Sequence, residues 1–202
     1  MKEKKLLITG FDPFGGECIN PSFEAVRLLP DKIGAFTLTK AEIPTVYEKA
    51  AQLVLEKANE ILPDAIICVG QAGGRDAITP EVVGINLREA SLPDNAGVTY
   101  AGVMIEENAP AAYFSTLPVR EMVSAVKNAG FPCRLSYSAG AFVCNDTLFS
   151  LLHHYRDSDI PVGFIHVPFL PEQAKNSAPS LPLQSIVEAL QTAIIALDNS
   201  IK

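Results

Sequence analysis

Residues 65–75 read Ala65-Ile66-Ile67-Cys68-Val69-Gly70-Gln71-Ala72-Gly73-Gly74-Arg75. Five apolar residues without alternation mark a strand buried on both faces, as at the centre of a parallel sheet. The glycine-rich run then stops it. Strand and helix patterns alternate on both sides of this stretch. Upstream, Lys4 to Thr9 reads as a buried strand, broken by Gly10-Phe11-Asp12-Pro13-Phe14-Gly15-Gly16. Asn20-Pro21 has the form of an N-cap followed by proline at the first helical position, and that helix ends near Pro30. Residues 35–43 read as a second strand. Thr45 and Glu48 fit a capping box, with Val46, Ala50, Leu53, Val54 and Ile61 marking the helix behind it. Downstream, Val82 to Leu87 reads as a strand and Thr116 to Ala129 as a helix. Cys133 to Tyr137 is an extended run, Pro161 to Val167 a strand, and Leu183 to Leu197 the last helix. This alternation predicts a three-layer α/β/α sandwich with a mainly parallel central sheet, in one domain spanning 1–202. Residues 88–116 show no clean period. A loop that long in a compact domain is often functional, so it is expected to be a lid or a subunit contact.

The totals narrow the partners. Hydrophobic residues make up 48% of the chain against 19% charged, which argues against disorder. Net charge is −7 and no long basic run occurs, so neither nucleic acid nor an anionic membrane surface is an expected partner. No apolar stretch approaches the roughly 20 residues needed to span a bilayer, and none has the form of a secretory signal. A cytoplasmic location is expected. The four cysteines, Cys18, Cys68, Cys133 and Cys144, are scattered without a Cys-x-x-Cys pair, so neither a zinc site nor a disulfide framework is indicated.

The chemistry centres on residues 138–147, Ser138-Ala139-Gly140-Ala141-Phe142-Val143-Cys144-Asn145-Asp146-Thr147. Leu148, Leu151, Leu152 and Tyr155 follow Cys144 at helical spacing, which places the thiol in the first turn of a helix. Free N–H groups and the helix dipole there favour a negative charge, so the thiol is expected to ionise more easily than in water. A cysteine nucleophile needs a base within hydrogen-bond reach. His153 and His154 lie roughly 13–15 Å further along the same helix axis, at about 1.5 Å per residue, and are excluded. His166, at the end of the next strand, remains. In parallel α/β sheets, ligands bind beyond the carboxyl ends of the strands, where Gly10–Gly16, Gly70–Arg75, Cys144 and His166 could meet. Glu81, Asp94 and Asp146 are candidates to orient the imidazole, and spacing does not separate Glu81 from Asp94. Cys68 and Cys133 read as structural, while Cys18 in the first loop is the rival thiol. Phe11, Phe14 and Phe142 are core residues or the wall of an apolar pocket. The glycine-rich run at 70–74 matches neither the P-loop nor the dinucleotide fingerprint.

Taken together, these stretches resemble the pyroglutamyl peptidase I family of cysteine peptidases over essentially the whole chain. The resemblance rests on Leu7 to Gly16, Asn20-Pro21-Ser22, Gly70 to Arg75, Ile78-Thr79-Pro80-Glu81, Pro93-Asp94-Asn95, Ser138-Ala139-Gly140 with Val143-Cys144-Asn145, and His166-Val167-Pro168, all in one order. It implies a cytoplasmic thiol peptidase that removes an N-terminal pyroglutamyl residue from small peptides. It implies no cofactor, no metal, and commonly a homotetramer. Carried over residue by residue, it implies Cys144 as nucleophile, His166 as base and Glu81 as the third member. It also implies Phe11, Phe14, Phe142 and Gln71 around the pyroglutamyl ring, with Asn20 steadying Gln71. Ser91 stands where the family often has an arginine, in Ala90-Ser91-Leu92-Pro93-Asp94-Asn95, and Arg75 or Arg88 is a candidate to replace it. Without the resemblance, two other readings remain open: a phosphorylase-like α/β enzyme with a passive Cys144, and a non-catalytic binder of pyroglutamyl ends.

Overall fold

The computed structural model describes residues 3–201; Met1, Lys2 and Lys202, the ends of the expected 1–202 domain, lie outside the described residues. In chain order the elements are β1 (Lys4–Phe11), α1 (Pro21–Leu28), β2 (Lys32–Ile33), β3 (Phe36–Ile43), α2 (Lys49–Ile61), β4 (Ala65–Gln71), β5 (Thr79–Pro80) and β6 (Val83–Ile85). They continue with β7 (Arg88–Ala90), β8 (Tyr100–Val103), β9 (Ala112–Phe114), α3 (Val119–Asn128), α4 (Val143–His154), β10 (Val162–Val167) and α5 (Leu183–Ser200).

The main sheet has the order β2-β3-β1-β4-β10-β5. β3, β1, β4 and β10 run parallel, and the short edge strands β2 and β5 are antiparallel to their neighbours. The all-apolar β4 lies between β1 and β10, as its composition required. Its residues alternate between two cores. Ala65, Ile67 and Val69 join a cluster with Leu6 and Ile8 of β1 and the apolar faces of α1, α3 and α5. Ile66 and Cys68 join Leu7, Phe164 and the faces of α2 and α4 on the other side. That is the expected three-layer sandwich.

Three local expectations are corrected. Cys133 to Tyr137 forms no named strand; Cys133 and Ser136 make only single parallel bridges to Ile78 and Glu81. The Thr45–Glu48 capping box does not form. α2 starts at Lys49 behind a Glu48 with φ of 63°, and no side chain caps it. The Thr45 hydroxyl donates instead to the Asp12 carbonyl at 3.2 Å, which anchors the loop after β1. Residues 88–116 are not structureless. β7 pairs with β8, and β9 returns to β6, in two small antiparallel ribbons outside the main sheet. β6 is therefore part of a ribbon rather than of the central sheet.

Candidate active site

Cys144 enters the site on the first turn of α4. The N-cap there is Phe142, in extended backbone, and no side chain caps the helix, so its leading N–H groups are left to face the pocket. Asn145, fully buried, pins this turn: Oδ1 accepts from the Ile85 N–H at 2.9 Å, and Nδ2 donates to the Ile85 and Leu87 carbonyls at 2.8 and 3.0 Å. The sulfur lies over the end of β4. A Cβ on Gly70 would fall 3.0 Å from Cys144 Sγ and 2.7 Å from the Phe164 ring, so only glycine fits beneath the thiol. On the neighbouring strand, His166 is the register partner of Gly70. The start of α4 and the end of β10 thus place the thiol and the imidazole on either side of Gly70.

The third group follows from β5. Thr79 pairs with His166 in the antiparallel β5–β10 ladder, and the Glu81 N–H continues it by donating to the Phe164 carbonyl at 2.9 Å. Glu81 therefore projects on the same face as His166, and His166 Nδ1 donates to Glu81 Oε1 at 2.7 Å. An ionised carboxylate can only accept, so Nδ1 carries the proton and Nε2 offers its lone pair. Glu81 Oε1 also accepts from Arg75 Nη1 at 2.7 Å, while Arg75 Nη2 donates to the Ser138 carbonyl at 2.9 Å. Arg75 Nη1 also reaches the Thr79 hydroxyl. Glu81 Oε2 has no hydrogen-bond partner.

Asp94 and Asp146 are spent elsewhere. Asp94 Oδ1 accepts from the N–H groups of Ala96 and Val98, and Oδ2 from that of Tyr47, which folds the 94–98 turn against α2. Asp146 Oδ1 accepts from Arg88 Nε at 2.6 Å and Oδ2 from the Glu48 N–H at 2.8 Å. Arg88 is held by Asp146 and Glu48 and is not free for the pocket. Ser91 is exposed and does not line the pocket, whereas Arg75 does. Arg75 is thus the guanidinium at the site, and it came in from the β4–β5 loop.

An open pocket of about 370 Å³ is lined by both Cys144 and His166. Phe14, Gln71, Phe142 and the 138–140 loop complete its wall. Phe14 and Phe142 have ring centroids 6.0 Å apart, and Tyr47, which no motif singled out, stands edge-on to Phe142 at 5.4 Å. Phe11, expected beside the ring, and Asn20, expected to steady Gln71, are not among the lining residues. Phe11 is buried in the core 6.0 Å from Phe164, and Phe164 in turn backs His166 at 4.8 Å. Asn20 is buried as the cap of α1; its Oδ1 accepts from Ser22 and its Nδ2 donates to the Asp12 carbonyl. The bond to Gln71 comes instead from Gln173 Nε2, at 3.0 Å. Cys18 is exposed and outside the pocket wall, and Cys68 and Cys133 are buried; all four cysteines are free. Among the described residues, no group of three or more His, Cys, Asp or Glu could hold a metal ion.

The electrostatics correct one expectation. Burial pushes the Cys144 thiol above its ordinary value, and the Glu81 carboxylate adds to this, against Arg75. A helix terminus supplies only about 0.3–1 kcal/mol, less than one pKa unit. Burial thus opposes the helix terminus and disfavours the charged sulfur. Burial also lowers His166 below 6.5, against the pull of Glu81. Burial alone would raise Glu81, but the His166 hydrogen bond and its other partners outweigh it and keep the carboxylate ionised.

A family model described as pyroglutamyl peptidase matches residues 4–200. The chain belongs to the pyroglutamyl peptidase family. A protein named pyrrolidone-carboxylate peptidase, from Staphylococcus carnosus, is 49% identical over 199 residues, which cover 96% of this chain and 93% of that protein. The crystal structure of pyroglutamyl peptidase I from Bacillus amyloliquefaciens superposes with a TM-score of 0.93 at 47% identity, over 96% of this chain and 95% of that one. Pyrrolidone carboxyl peptidase from Thermococcus litoralis gives 0.92 at 34% identity, over 97% and 94%. The doubly covered parallel sheet is thus the fold of pyroglutamyl peptidases, and this chain is a cysteine peptidase of that family.

Proposed function

We propose that this chain removes N-terminal pyroglutamyl residues from small peptides, with Cys144 as nucleophile, His166 as general base and acid, and Glu81 as the group that orients the imidazole. The observation that carries the reading is the Glu81–His166 hydrogen bond of 2.7 Å, directed so that Nε2 is left free in the pocket that Cys144 also lines. Neither a passive Cys144 nor a simple binder accounts for a buried carboxylate spent on orienting an imidazole.

Burial disfavours both the thiolate and the imidazolium, which supports general-base attack. The Cys144 S–H proton passes to His166 Nε2 as the sulfur bonds to the pyroglutamyl carbonyl carbon. The carbonyl oxygen becomes an oxyanion facing the uncapped N–H groups of α4. The imidazolium then gives its proton to the amine nitrogen, the C–N bond breaks, and a thioester remains. His166 next takes a proton from water, which attacks the thioester; the C–S bond breaks, the thiolate regains the proton, and pyroglutamic acid leaves. Arg75 holds Glu81 charged and tethers the 138–140 loop.

Specificity follows from the pocket's lack of an anion free to meet a cation. Phe14 and Phe142 suit an uncharged lactam ring, and Gln71 offers it a polar contact. A substrate with a free terminal ammonium would lose water without gaining a partner, at several kcal/mol. Release of a chromogenic arylamine tests this: rapid release from the pyroglutamyl arylamide, blocked by iodoacetamide, is expected. Comparable rates on glutamyl or glutaminyl arylamides would contradict it.

The same reading takes residues 1–202 as one catalytic domain and the working form as a cytoplasmic homotetramer. The exposed Phe114 and Met104 on and beside the ribbons, 75% and 50% accessible, are what a subunit contact would cover. No helix among the described residues is long and apolar enough to cross a membrane.

A further inference from the structure

Gln173 lies on the segment after β10 and is only 5% exposed. Its amide is gripped by main chain at both ends. Oε1 accepts from the Leu170 N–H at 3.1 Å, and Nε2 donates to the Ile19 carbonyl at 3.2 Å. A backbone N–H can only donate and a backbone carbonyl can only accept. These two bonds therefore fix which end of the Gln173 amide is nitrogen, a choice that is ordinarily ambiguous. The remaining Nε2 hydrogen goes to the Gln71 side chain at 3.0 Å. A donor must meet an acceptor, so the Gln71 atom facing Gln173 is its oxygen. The orientation of Gln71 is thus set by a chain of bonds that begins at the backbone. Gln71 is a wall of the Cys144 pocket, and the part of its amide left without a partner is the Nε2 group, a pure donor.

We propose that Gln173 is a positioning residue for specificity: it holds Gln71 as a hydrogen-bond donor, so that the pocket reads the lactam carbonyl oxygen of the pyroglutamyl ring. This rests on the pyroglutamyl reading of the site. A saturated five-membered ring without that carbonyl gives Gln71 nothing to donate to. A Gln71 turned by half a rotation would set its own oxygen against the lactam oxygen, acceptor against acceptor, and the bond would become a repulsion.

Steady-state kinetics on a pyroglutamyl arylamide tests the proposal. Gln173→Met keeps the length of the side chain and frees Gln71 to rotate; KM is expected to rise about tenfold with kcat little changed, the worth of one neutral hydrogen bond. Gln173→Glu offers Gln71 only acceptors and turns it round, and KM is expected to rise about 10–100-fold, the cost of a mispaired polar group. In a Gln71→Ala background, either change is expected to add less than about twofold, because its effect runs through Gln71. Full additivity in that background, or an ordinary KM for Gln173→Glu, would overturn the proposal while leaving the pyroglutamyl reading intact. So would a loss confined to kcat, as a folding defect gives. Absence of wild-type turnover would overturn the pyroglutamyl reading, and the proposal with it.

Discussion

Two arginine–carboxylate clusters flank the start of α4, and they serve different ends. In the first, Arg75 Nη1 and His166 Nδ1 share Glu81 Oε1, each at 2.7 Å. In the second, Arg88 bridges Asp146 at 2.6 Å and Glu48 at 2.9 Å. Both central carboxylates, Glu81 and Asp146, are completely buried. The Asp146 cluster closes on itself: its other oxygen accepts from the Glu48 N–H, tying the first turn of α4 to the start of α2. Burial pushes the Asp146 carboxyl up, and the Glu48 N–H and the Arg88 charge push back. Burial works against the Arg88 charge too, and the Asp146 carboxylate more than restores it. The Glu81 cluster instead ends on an imidazole that opens into a pocket. One arrangement fixes where the nucleophile's helix begins. The other fixes which nitrogen of the base is free. Burying a carboxylate is costly in both, and only its last partner separates scaffold from catalysis.

Removing the Glu81 charge should have the largest effect on turnover. Glu81→Gln presents an amide to Nδ1 and loses both the orientation and the charge that stabilises the imidazolium. A fall in kcat/KM of about 10²–10⁴-fold is expected, in line with general acid–base and triad substitutions, in a protein that still folds by circular dichroism. A Glu81→Gln protein within tenfold of wild type would make the two clusters equivalent. Arg88→Met should do the reverse. Leaving Asp146 buried without its partner is expected to cost about 3–5 kcal/mol of stability by urea denaturation, while the folded fraction keeps most of its kcat/KM. A stable but inactive Arg88→Met would place Arg88 at the reaction after all.

A pH profile sharpens the same contrast. The base works neutral, so kcat/KM should fall as pH drops through the His166 pKa, and burial sets that pKa below 6.5. An acid limb above 6.5 would contradict the lowered value. Stability carries the same sign. Below 6.5 an unfolded chain binds a proton that folded His166 resists, so stability falls with pH there. Glu81, depressed in the folded state, contributes stability that is present above 4.5 and is lost as pH falls through its folded pKa. The rate of Cys144 alkylation should rise steadily with pH from 5 to 9. A fast, flat rate below 6.5 would reveal a preformed thiolate–imidazolium pair. The smallest change concerns the capped helix α1. Asn20→Ala should cost about 1 kcal/mol of stability, the usual worth of an N-cap, with KM unchanged. A raised KM would return Asn20 to the support of Gln71.

The fold was largely legible because its central element had no second reading. An unalternating apolar strand such as Ala65–Val69 fits only the middle of a covered sheet, and Asn20-Pro21 announced α1 to the residue. The thiol and the base were reachable by spacing, since α4 carried His153 and His154 away from Cys144. The rest depended on contacts between distant residues. β5 is two residues long, too short for any periodicity, yet it is what brings Glu81, rather than Asp94 or Asp146, to His166. Phe11 and Phe14 lie three positions apart with the same composition signal; Phe11 closes β1 and is buried, while Phe14 lies beyond the strand on the pocket wall. Gln173 sits 102 positions from Gln71 in a stretch without pattern. The direction of the Cys144 pKa was misjudged because a helix start is visible in sequence and desolvation is not.

The central claim is that Cys144 attacks the pyroglutamyl carbonyl. Turnover of a pyroglutamyl arylamide by Cys144→Ser, with folding followed by circular dichroism, tests it most directly. The account predicts a loss of at least about 10³-fold, comparable to removal of other catalytic nucleophiles, at an unchanged melting temperature. Activity within tenfold of wild type in the folded variant would contradict it.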